Sequence, residues 1–203
     1  MTVPAQTPAA GGMDDYSISL ARANLLGVPI FIVLAALVVV PYGLAWGWVR
    51  LLLAFNEFMN WQRFVPAIVL GTIAHEGLHG LGWKFFGRIP LASIKYGFNP
   101  RTVTPYAHCT VPLRASAYKA GTMLPGLALG VLPGLFGIAA QNGFWTIFAA
   151  FFLGAASGDI LCLWMMRTIP SDARVIDHPR IIEQEENSHE KQRRPEDDFT
   201  AVP

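Results

Sequence analysis

Acidic side chains are almost absent from the central part of this chain. Of its 14 aspartates and glutamates, only Glu57, Glu76 and Asp159 lie between Tyr16 and Ile169. Charged residues make up 14% of the 203 residues and hydrophobic residues 53%, whereas ordinary soluble domains carry roughly 25% charged residues. Mean hydropathy is +0.39. These values exclude an ordinary soluble domain and indicate a polytopic membrane protein of one domain.

Cysteine is also scarce. The chain has two cysteines, Cys109 and Cys162, far apart in sequence and in unlike surroundings. They exclude a readable disulfide framework. We interpret Cys162 as a small buried apolar residue.

Four apolar segments are long enough to cross a bilayer, which takes about 20 residues. We therefore predict an all-α membrane protein with about four transmembrane helices. The first segment is too long for the apolar region of a signal peptide and no clear cleavage site follows it, so we interpret it as a retained span. The predicted spans are residues 25–48, 64–86, 118–140 and 144–166. The predicted organisation is a disordered N-terminal tail at 1–20, a four-span membrane domain at 21–170 and a charged, mostly disordered C-terminal tail at 171–203.

The polar segments between these spans carry their own patterns. Residues 48–64 mix Trp, Phe and Leu with arginines, which fits either an amphipathic helix at the membrane interface or a loop with the ends of two spans. In the 87–117 segment, Pro100, Pro105 and Pro112 exclude a continuous helix. Tyr, Val and Thr between turn residues predict a short hairpin-like segment there.

Basic residues are distributed unevenly between the two sides of the predicted bundle. The opposite side has only Arg50 and Arg63, whereas the side of the 87–117 segment is rich in Lys and Arg. Because cytoplasmic loops carry the excess of positive charge, both termini are predicted to face the cytoplasm. The basic residues on that side are Arg22, Lys84, Arg88, Lys95, Arg101, Arg114, Lys119, Arg167 and Arg174.

The second span contains "HEGLH" at residues 75–79. His75 and His79 are four residues apart and share a helix face, so they can bind one metal ion, and Glu76 stands beside them. This is the H-E-x-x-H pattern of zinc metalloproteases, in which Glu76 would activate a zinc-bound water and pass its proton to the leaving amine. The alternatives are a polar cluster satisfied by hydrogen bonds between helices and a proton relay.

A catalytic zinc site usually has three protein ligands, and Asp159 in the fourth span is the candidate for the third. His79 precedes Arg88 by nine residues and Asp159 precedes Arg167 by eight. At 1.5 Å per residue both lie about 12–14 Å from the ends of their helices, at the same depth. The sequence thus predicts one metal site made of His75, His79 and Asp159. The competing interpretation is that Asp159 orients a histidine from outside the ligand set.

Other residues near the predicted core are weaker candidates. His108, in "YAHCT", is an accessory candidate that could bind metal, stabilise an oxyanion or lie at the surface. Cys109 is a weaker candidate still. His178 and His189 lie in the charged tail, and we expect no role for them.

Several stretches resemble the putative zincin peptidase family of bacterial membrane proteins, long known only as a domain of unknown function. The resemblance covers about residues 60–180 and includes "HEGLHG", "YGFNPRTVTPYAHCTVPL", "MLPG", "SGDIL" and "DHP". The arrangement is also similar to site-2 proteases, which carry HExxH on one span and an aspartate on a later one, although there the order is Asp-Gly and here it is Gly-Asp. The resemblance implies one Zn²⁺ bound by His75, His79 and Asp159, with Glu76 as the base.

The predicted function is that of a membrane-embedded zinc metalloprotease hydrolysing peptide bonds near the cytoplasmic side, in the bacterial cell membrane. Its expected partners are a peptide or membrane-protein substrate and the lipid bilayer, and no nucleic acid. The 87–117 segment could bind an extended substrate by strand pairing. The alternatives are a proton-coupled transporter, for which the chain is short and shows no inverted repeat, and an inactive metal-binding scaffold.

Overall fold

Helices dominate the structure, a computed structural model that describes residues 20–99 and 104–176. Four helical segments are long and apolar enough to cross a membrane, so the prediction of an all-α, four-span protein is confirmed. These spans are Leu25–Trp46, Trp61–Gly87, Ala115–Ala139 and Gly143–Thr168. The predicted tails lie outside the described residues, except for residue 20 and residues 171–176.

Two of the four spans are interrupted helices. A π-helical segment, Gly126–Val131, lies inside the third span between Pro125 and Pro133, whose missing N–H groups disturb the regular ladder. The fourth span is broken at Ala156. The helices are α1 (Leu20–Trp46), α2 (Trp48–Phe58), α3 (Trp61–Gly87), α4 (Ala115–Pro125), α5 (Leu132–Ala139), α6 (Gly143–Ala155) and α7 (Ser157–Met165).

Local signals in the sequence explain where the long helices begin and end. The Asn60 side chain accepts a hydrogen bond from the Gln62 N–H at 3.1 Å and caps α3. Arg88, with φ of 53°, adopts the left-handed conformation that ends the same helix. The Asn142 side chain accepts from the Trp145 N–H at 3.3 Å and starts α6. The second and fourth spans are therefore capped by side chains at their first turns.

The segment after the first span is the helix α2, and residues 61–64 already belong to α3. In α2, Leu51 and Phe58 are buried in a cluster that includes Phe148 of α6. Next to these buried side chains, Trp48 is 49% exposed and Leu52 is 63% exposed. Such an exposed apolar face is typical of a helix that lies in the membrane interface.

The predicted hairpin is present as an antiparallel pair, β1 (Ile94–Asn99) and β2 (Thr104–Cys109). The Thr110 N–H donates to the Ser93 carbonyl at 2.9 Å, which extends the ladder by one hydrogen-bonded pair. Because such pairs alternate, the N–H of Ala107 points away from β1. The Ala107 N–H therefore lies on the edge of β2 that faces away from β1.

A second, shorter strand pair joins β3 (Leu113–Arg114) to β4 (Arg174–Val175). β4 lies beyond residue 170, where the sequence predicts the end of the domain, so this pairing attaches residues 171–176 to the start of α4. The Lys119 ammonium donates to the Ile169 carbonyl at 2.9 Å and strengthens the attachment.

Glycine permits the closest contacts between spans. A Cβ at Gly82 of α3 would lie 2.6 Å from the Cα of Gly121 in α4. A Cβ at Gly71 would overlap the ring of Phe152 in α6, which is 2% exposed. Small residues let membrane helices approach closely and gain dispersion contacts. These contacts bring α4 and α6 against the helix that carries the HEGLH residues.

Candidate metal centre

Three predicted side chains from two spans converge at one point. His75 and His79 come from successive turns of α3, and Asp159 comes from the first turn of α7. The His75 Nε2 lies 3.2 Å from the Asp159 Oδ2, and the His79 Nε2 lies 3.2 Å from the Asp159 Oδ1. One possible ligand atom from each residue lies within 4.8 Å of the others. The side chains are largely buried, with 11%, 9% and 19% exposed.

The backbone of α4 determines the tautomer of His79. Its Nδ1 lies 3.3 Å from the carbonyl oxygen of Gly121. Because a carbonyl oxygen only accepts, Nδ1 must carry the proton in this bond. In the neutral ring, Nε2 then has its lone pair directed at Asp159, which is the form that binds a metal.

An aromatic stack holds the same ring in place. His79 stacks on Trp83 with 5.6 Å between ring centroids, and Trp83 stacks on Tyr118 with 5.2 Å. The Trp83 Nε1–H donates to the Tyr118 carbonyl at 3.2 Å. A Cβ at Gly121 would overlap the Trp83 ring. Only glycine at position 121 therefore lets its carbonyl reach His79 past the stack.

The unsatisfied atoms of this cluster fit a bound cation. His75 Nδ1 has no hydrogen-bond partner among the described residues, and Asp159 Oδ2 makes no hydrogen bond of good geometry despite its closeness to His75. Electron-rich atoms about 3.2 Å apart repel in a buried site unless a proton or a cation lies between them. Neighbouring ligand atoms of tetrahedral zinc lie ~3.3 Å apart, given bonds of about 2.0–2.1 Å. Two imidazoles and a carboxylate are a donor set suited to zinc, and one candidate ligand atom of each lies within 4.8 Å of the others.

Glu76 lies beside this cluster and is oriented by the hairpin. It lines a cavity of about 280 Å³ together with His75, His79 and Asp159. The backbone N–H of Ala107, on the outward edge of β2, donates to the Glu76 carboxylate. The general base predicted from the sequence therefore shares one cavity with the three candidate ligands.

A notch at Gly80 docks the hairpin on α3. A Cβ there would overlap the Tyr96 hydroxyl and lie 3.2 Å from the Ile94 Cγ2. Burial and the nearby Glu76 charge raise the pKa of Tyr96, so its phenol stays neutral beyond the ordinary pH of about 10. Gly80 is one turn from Glu76, so the notch docks β1, and with it the paired strand β2, beside the carboxylate.

The remaining candidates are distributed differently. His108 lies in β2 opposite Lys95 and is not among the described residues that line the cavity. Cys109 is 1% exposed, and its thiol donates to the Val111 carbonyl at 3.3 Å. Cys162, interpreted from sequence as a plain buried residue, lines the cavity. His178 and His189 lie outside the described residues.

Sequence reasoning missed the two backbone groups that orient the site. The Gly121 carbonyl and the Ala107 N–H carry no side-chain signal, and their roles depend on which helix and strand pack together. The sequence offered only indirect signs, the glycine in "KAGTML" and the strand pattern around residue 107.

Comparison with known families bears on the same part of the chain. The sequence profile of a family described as putative zincin peptidase matches residues 68–174, which is more than half of the chain. The chain belongs to this putative zincin peptidase family. The matched region begins in the span that carries HEGLH and ends in β4, so it contains every residue of the candidate centre. The resemblance recognised from sequence motifs is confirmed.

The chain is also similar to an uncharacterized protein. An uncharacterized 24.7 kDa protein in the gap 5′ region of Pyrococcus woesei is 26% identical over 137 residues, which cover 66% of this chain. The match spans 60% of that protein's length. No solved structure matches the chain.

Proposed function

We propose that this protein is a membrane-embedded zinc metallopeptidase that hydrolyses peptide bonds near the cytoplasmic side. In this proposal His75, His79 and Asp159 bind one Zn²⁺ and Glu76 is the general base. Membership of the zincin peptidase family supports the peptidase class, and the four apolar helices support membrane embedding. The basic residues around the hairpin support the cytoplasmic orientation.

One observation supports the proposal most strongly. The hydrogen bond from His79 Nδ1 to the Gly121 carbonyl directs the Nε2 lone pair at a carboxylate oxygen 3.2 Å away. A protonated ring would donate from Nε2 to that oxygen, whereas in the neutral tautomer both facing atoms are acceptors. The position between them therefore suits a cation, and the H-E-x-x-H pattern supports a metal ion there.

The chemistry would be divided among the residues of the cavity. When bound, Zn²⁺ supplies Lewis acidity and lowers the pKa of water at the site towards ~7. Glu76 accepts the proton of the attacking water and delivers it to the leaving amine. The Ala107 N–H holds the Glu76 carboxylate in position through both transfers.

The hairpin offers a way to bind an extended substrate. Pro105, Tyr106 and Ala107 of β2 line the cavity, and the carbonyls of residues 105 and 107 point away from β1 by the alternation of the ladder. A peptide in β conformation could donate to them and extend the sheet. Deleting residues 97–112 should abolish cleavage while sparing the zinc content, and cleavage by the deletion variant would contradict substrate binding by this edge.

The central test separates metal binding from turnover. Detergent-purified wild-type protein should contain about one zinc per chain, as one H-E-x-x-H site predicts, and His75→Ala and Asp159→Ala should lose it. Glu76→Gln should keep the metal and lose peptidase activity. Comparing the membrane proteomes of cells with wild-type and Glu76→Gln protein should reveal substrates that accumulate only with the variant.

Two results would overturn the proposal. One is wild-type protein that purifies without zinc and cannot be loaded with it. The other is a Glu76→Gln variant that retains full peptidase activity, because then another group must accept the proton of the attacking water.

A further inference from the structure

A like-charge pair lies where the end of the fourth span is attached to the start of the third. Arg114 of β3 is directly opposite Arg174 of β4. The Ala115 N–H donates to the Ala173 carbonyl at 2.8 Å, so the neighbouring arginine pair is of the non-hydrogen-bonded kind. In such pairs the side chains stand closest, with Cβ atoms about 4.5–5.5 Å apart. The register thus places two arginine side chains next to each other on one face of the ladder.

Neither arginine has an acidic partner in the part of the chain that the structure describes. Ion pairs among residues 20–99 and 104–176 are those of Arg63 with Glu57 and of the two histidines with Asp159. Both arginines are exposed. Like charges directly opposite each other destabilise a strand pair, and this pair has only two residues in each strand. The arrangement therefore calls for an anion that both guanidinium groups can share.

The position of the pair indicates where that anion comes from. Arg114 immediately precedes Ala115, the first residue of the third span. Near the end of the fourth span, Trp164 is 51% exposed and the Arg167 guanidinium lies 4.0 Å from its ring centroid. Exposed tryptophans and arginines at span ends are typical of the headgroup level of the bilayer. The phosphate groups of membrane lipids occur at this level.

We infer that Arg114 and Arg174 together bind the phosphate group of an anionic phospholipid, which bridges β3 and β4 and fastens residues 171–176 to the third span. Two guanidinium groups match the several oxygens of a phosphate through paired, charge-assisted hydrogen bonds. The lipid neutralises the repulsion that the strand register creates. This site is separate from the candidate metal centre and does not depend on its activity.

The test uses delipidated full-length protein in a neutral detergent, titrated with short-chain phosphatidylglycerol, with short-chain phosphatidylcholine or with inorganic phosphate. Thermal unfolding reports binding. Phosphatidylglycerol should raise the melting temperature of the wild type, and R114Q/R174Q should bind it about tenfold more weakly or worse, the effect of losing charge-assisted hydrogen bonds. The matched control K84Q/K95Q removes two positive charges on the same side and should bind within about twofold of the wild type, because screened surface charges contribute little.

The single variant R174Q separates this site from a general charge effect, because its effect on the melting temperature should depend on the lipid. R174Q should not lower the melting temperature in lipid-free detergent, because it relieves repulsion. It should lower the melting temperature once phosphatidylglycerol is present. R114K/R174K keeps both charges, so it guards against a double variant that fails to fold, and it should still bind several-fold more weakly because lysine cannot make paired hydrogen bonds.

Four outcomes would overturn the inference. Phosphatidylcholine could stabilise the protein as well as phosphatidylglycerol does, or K84Q/K95Q could lose as much affinity as R114Q/R174Q. R114K/R174K could bind like the wild type, which would reduce the site to net charge. Inorganic phosphate at equal concentration could reproduce the full stabilisation, in which case the ligand is a soluble phosphate and not a lipid.

Discussion

The contact between Gly121 and His79 gives a test of the metal centre that needs no known substrate. A methyl group at position 121 would overlap the Trp83 ring and lie 2.9 Å from the Trp83 backbone nitrogen. Since the backbone cannot give way as a side-chain end can, Gly121→Ala should push α4 away from α3. The His79 Nδ1 to Gly121 carbonyl bond, already 3.3 Å long, would then be lost.

The expected loss follows from what that bond does. Removing the partner that orients a metal-binding histidine typically weakens metal affinity about 10- to 100-fold, which corresponds to ~1.4–2.7 kcal/mol. We therefore expect the zinc affinity of Gly121→Ala to be about 10- to 100-fold lower than that of the wild type. The measurement is a competitive titration of purified protein against a chromophoric zinc chelator, with helix content followed by circular dichroism.

Gly77→Ala is the matched control for this variant. It makes the same chemical change in the span that carries the histidines, but a Cβ there meets nothing within 4 Å. It should bind zinc like the wild type, and any gain in helix propensity of about 1 kcal/mol should appear only in stability. A folded Gly121→Ala protein with wild-type zinc affinity would refute the role assigned to the carbonyl. Equal losses in both variants would show that the effect comes from helix propensity and not from the contact.

Further variants test the hairpin and the core. Ala107→Pro removes the N–H that binds Glu76 without breaking the ladder to β1, and should lower the catalytic rate about tenfold at unchanged zinc content, while Ala107→Gly keeps the N–H and most of the rate. Gly80→Ala should displace Tyr96 and reduce activity more than zinc affinity, measured on the same preparation; a variant that loses both equally would contradict a role confined to the hairpin. Phe152→Ala, at a side chain 2% exposed, should destabilise the fold by ~3 kcal/mol and lower the melting temperature. Removing zinc with a chelator should lower the melting temperature of the wild type, since a ligand bound only to the folded state stabilises it, and should leave that of His75→Ala unchanged.

The sequence was sufficient to predict the spans and the closeness of the three candidate ligands. Span length depends only on local hydropathy, and the predicted 64–86 and 144–166 segments fall inside the observed helices. The i, i+4 spacing of His75 and His79 is a property of any α-helix. The depth argument for Asp159 also succeeded as geometry, because rise per residue converts the distance to a flanking arginine directly into position along the helix.

Other features could not be predicted because they depend on packing between distant segments. The pairing of Arg174 with Arg114 joins residues 60 positions apart with only two residues in each strand, too short for a hydrophobic alternation to be read. Pro125 and Pro133 mark a disturbed helix in the sequence, but neither the π-helical segment between them nor the break at Ala156 follows from residue type alone. His108 was a candidate by residue type; it lies in β2 opposite Lys95, whereas Pro105, Tyr106 and Ala107 of the same strand line the cavity.

Acidic residues are scarce in the spans, and this scarcity explains why backbone groups orient the side chains of the candidate centre. Histidines that bind metals need a partner for the second ring nitrogen, and this partner is a carboxylate, a backbone carbonyl or water. A further carboxylate within the bilayer would cost several kcal/mol, whereas a peptide group is already present in every turn. In this protein the Gly121 carbonyl orients His79 and the Ala107 N–H orients Glu76. Backbone groups can take these roles only where neighbouring elements approach without a Cβ, as they do at Gly82, Gly121 and Gly80. Gly80, Gly82 and Gly121 therefore permit the close contacts that build the candidate site. Each should tolerate alanine less well than Gly77, whose Cβ would meet nothing within 4 Å.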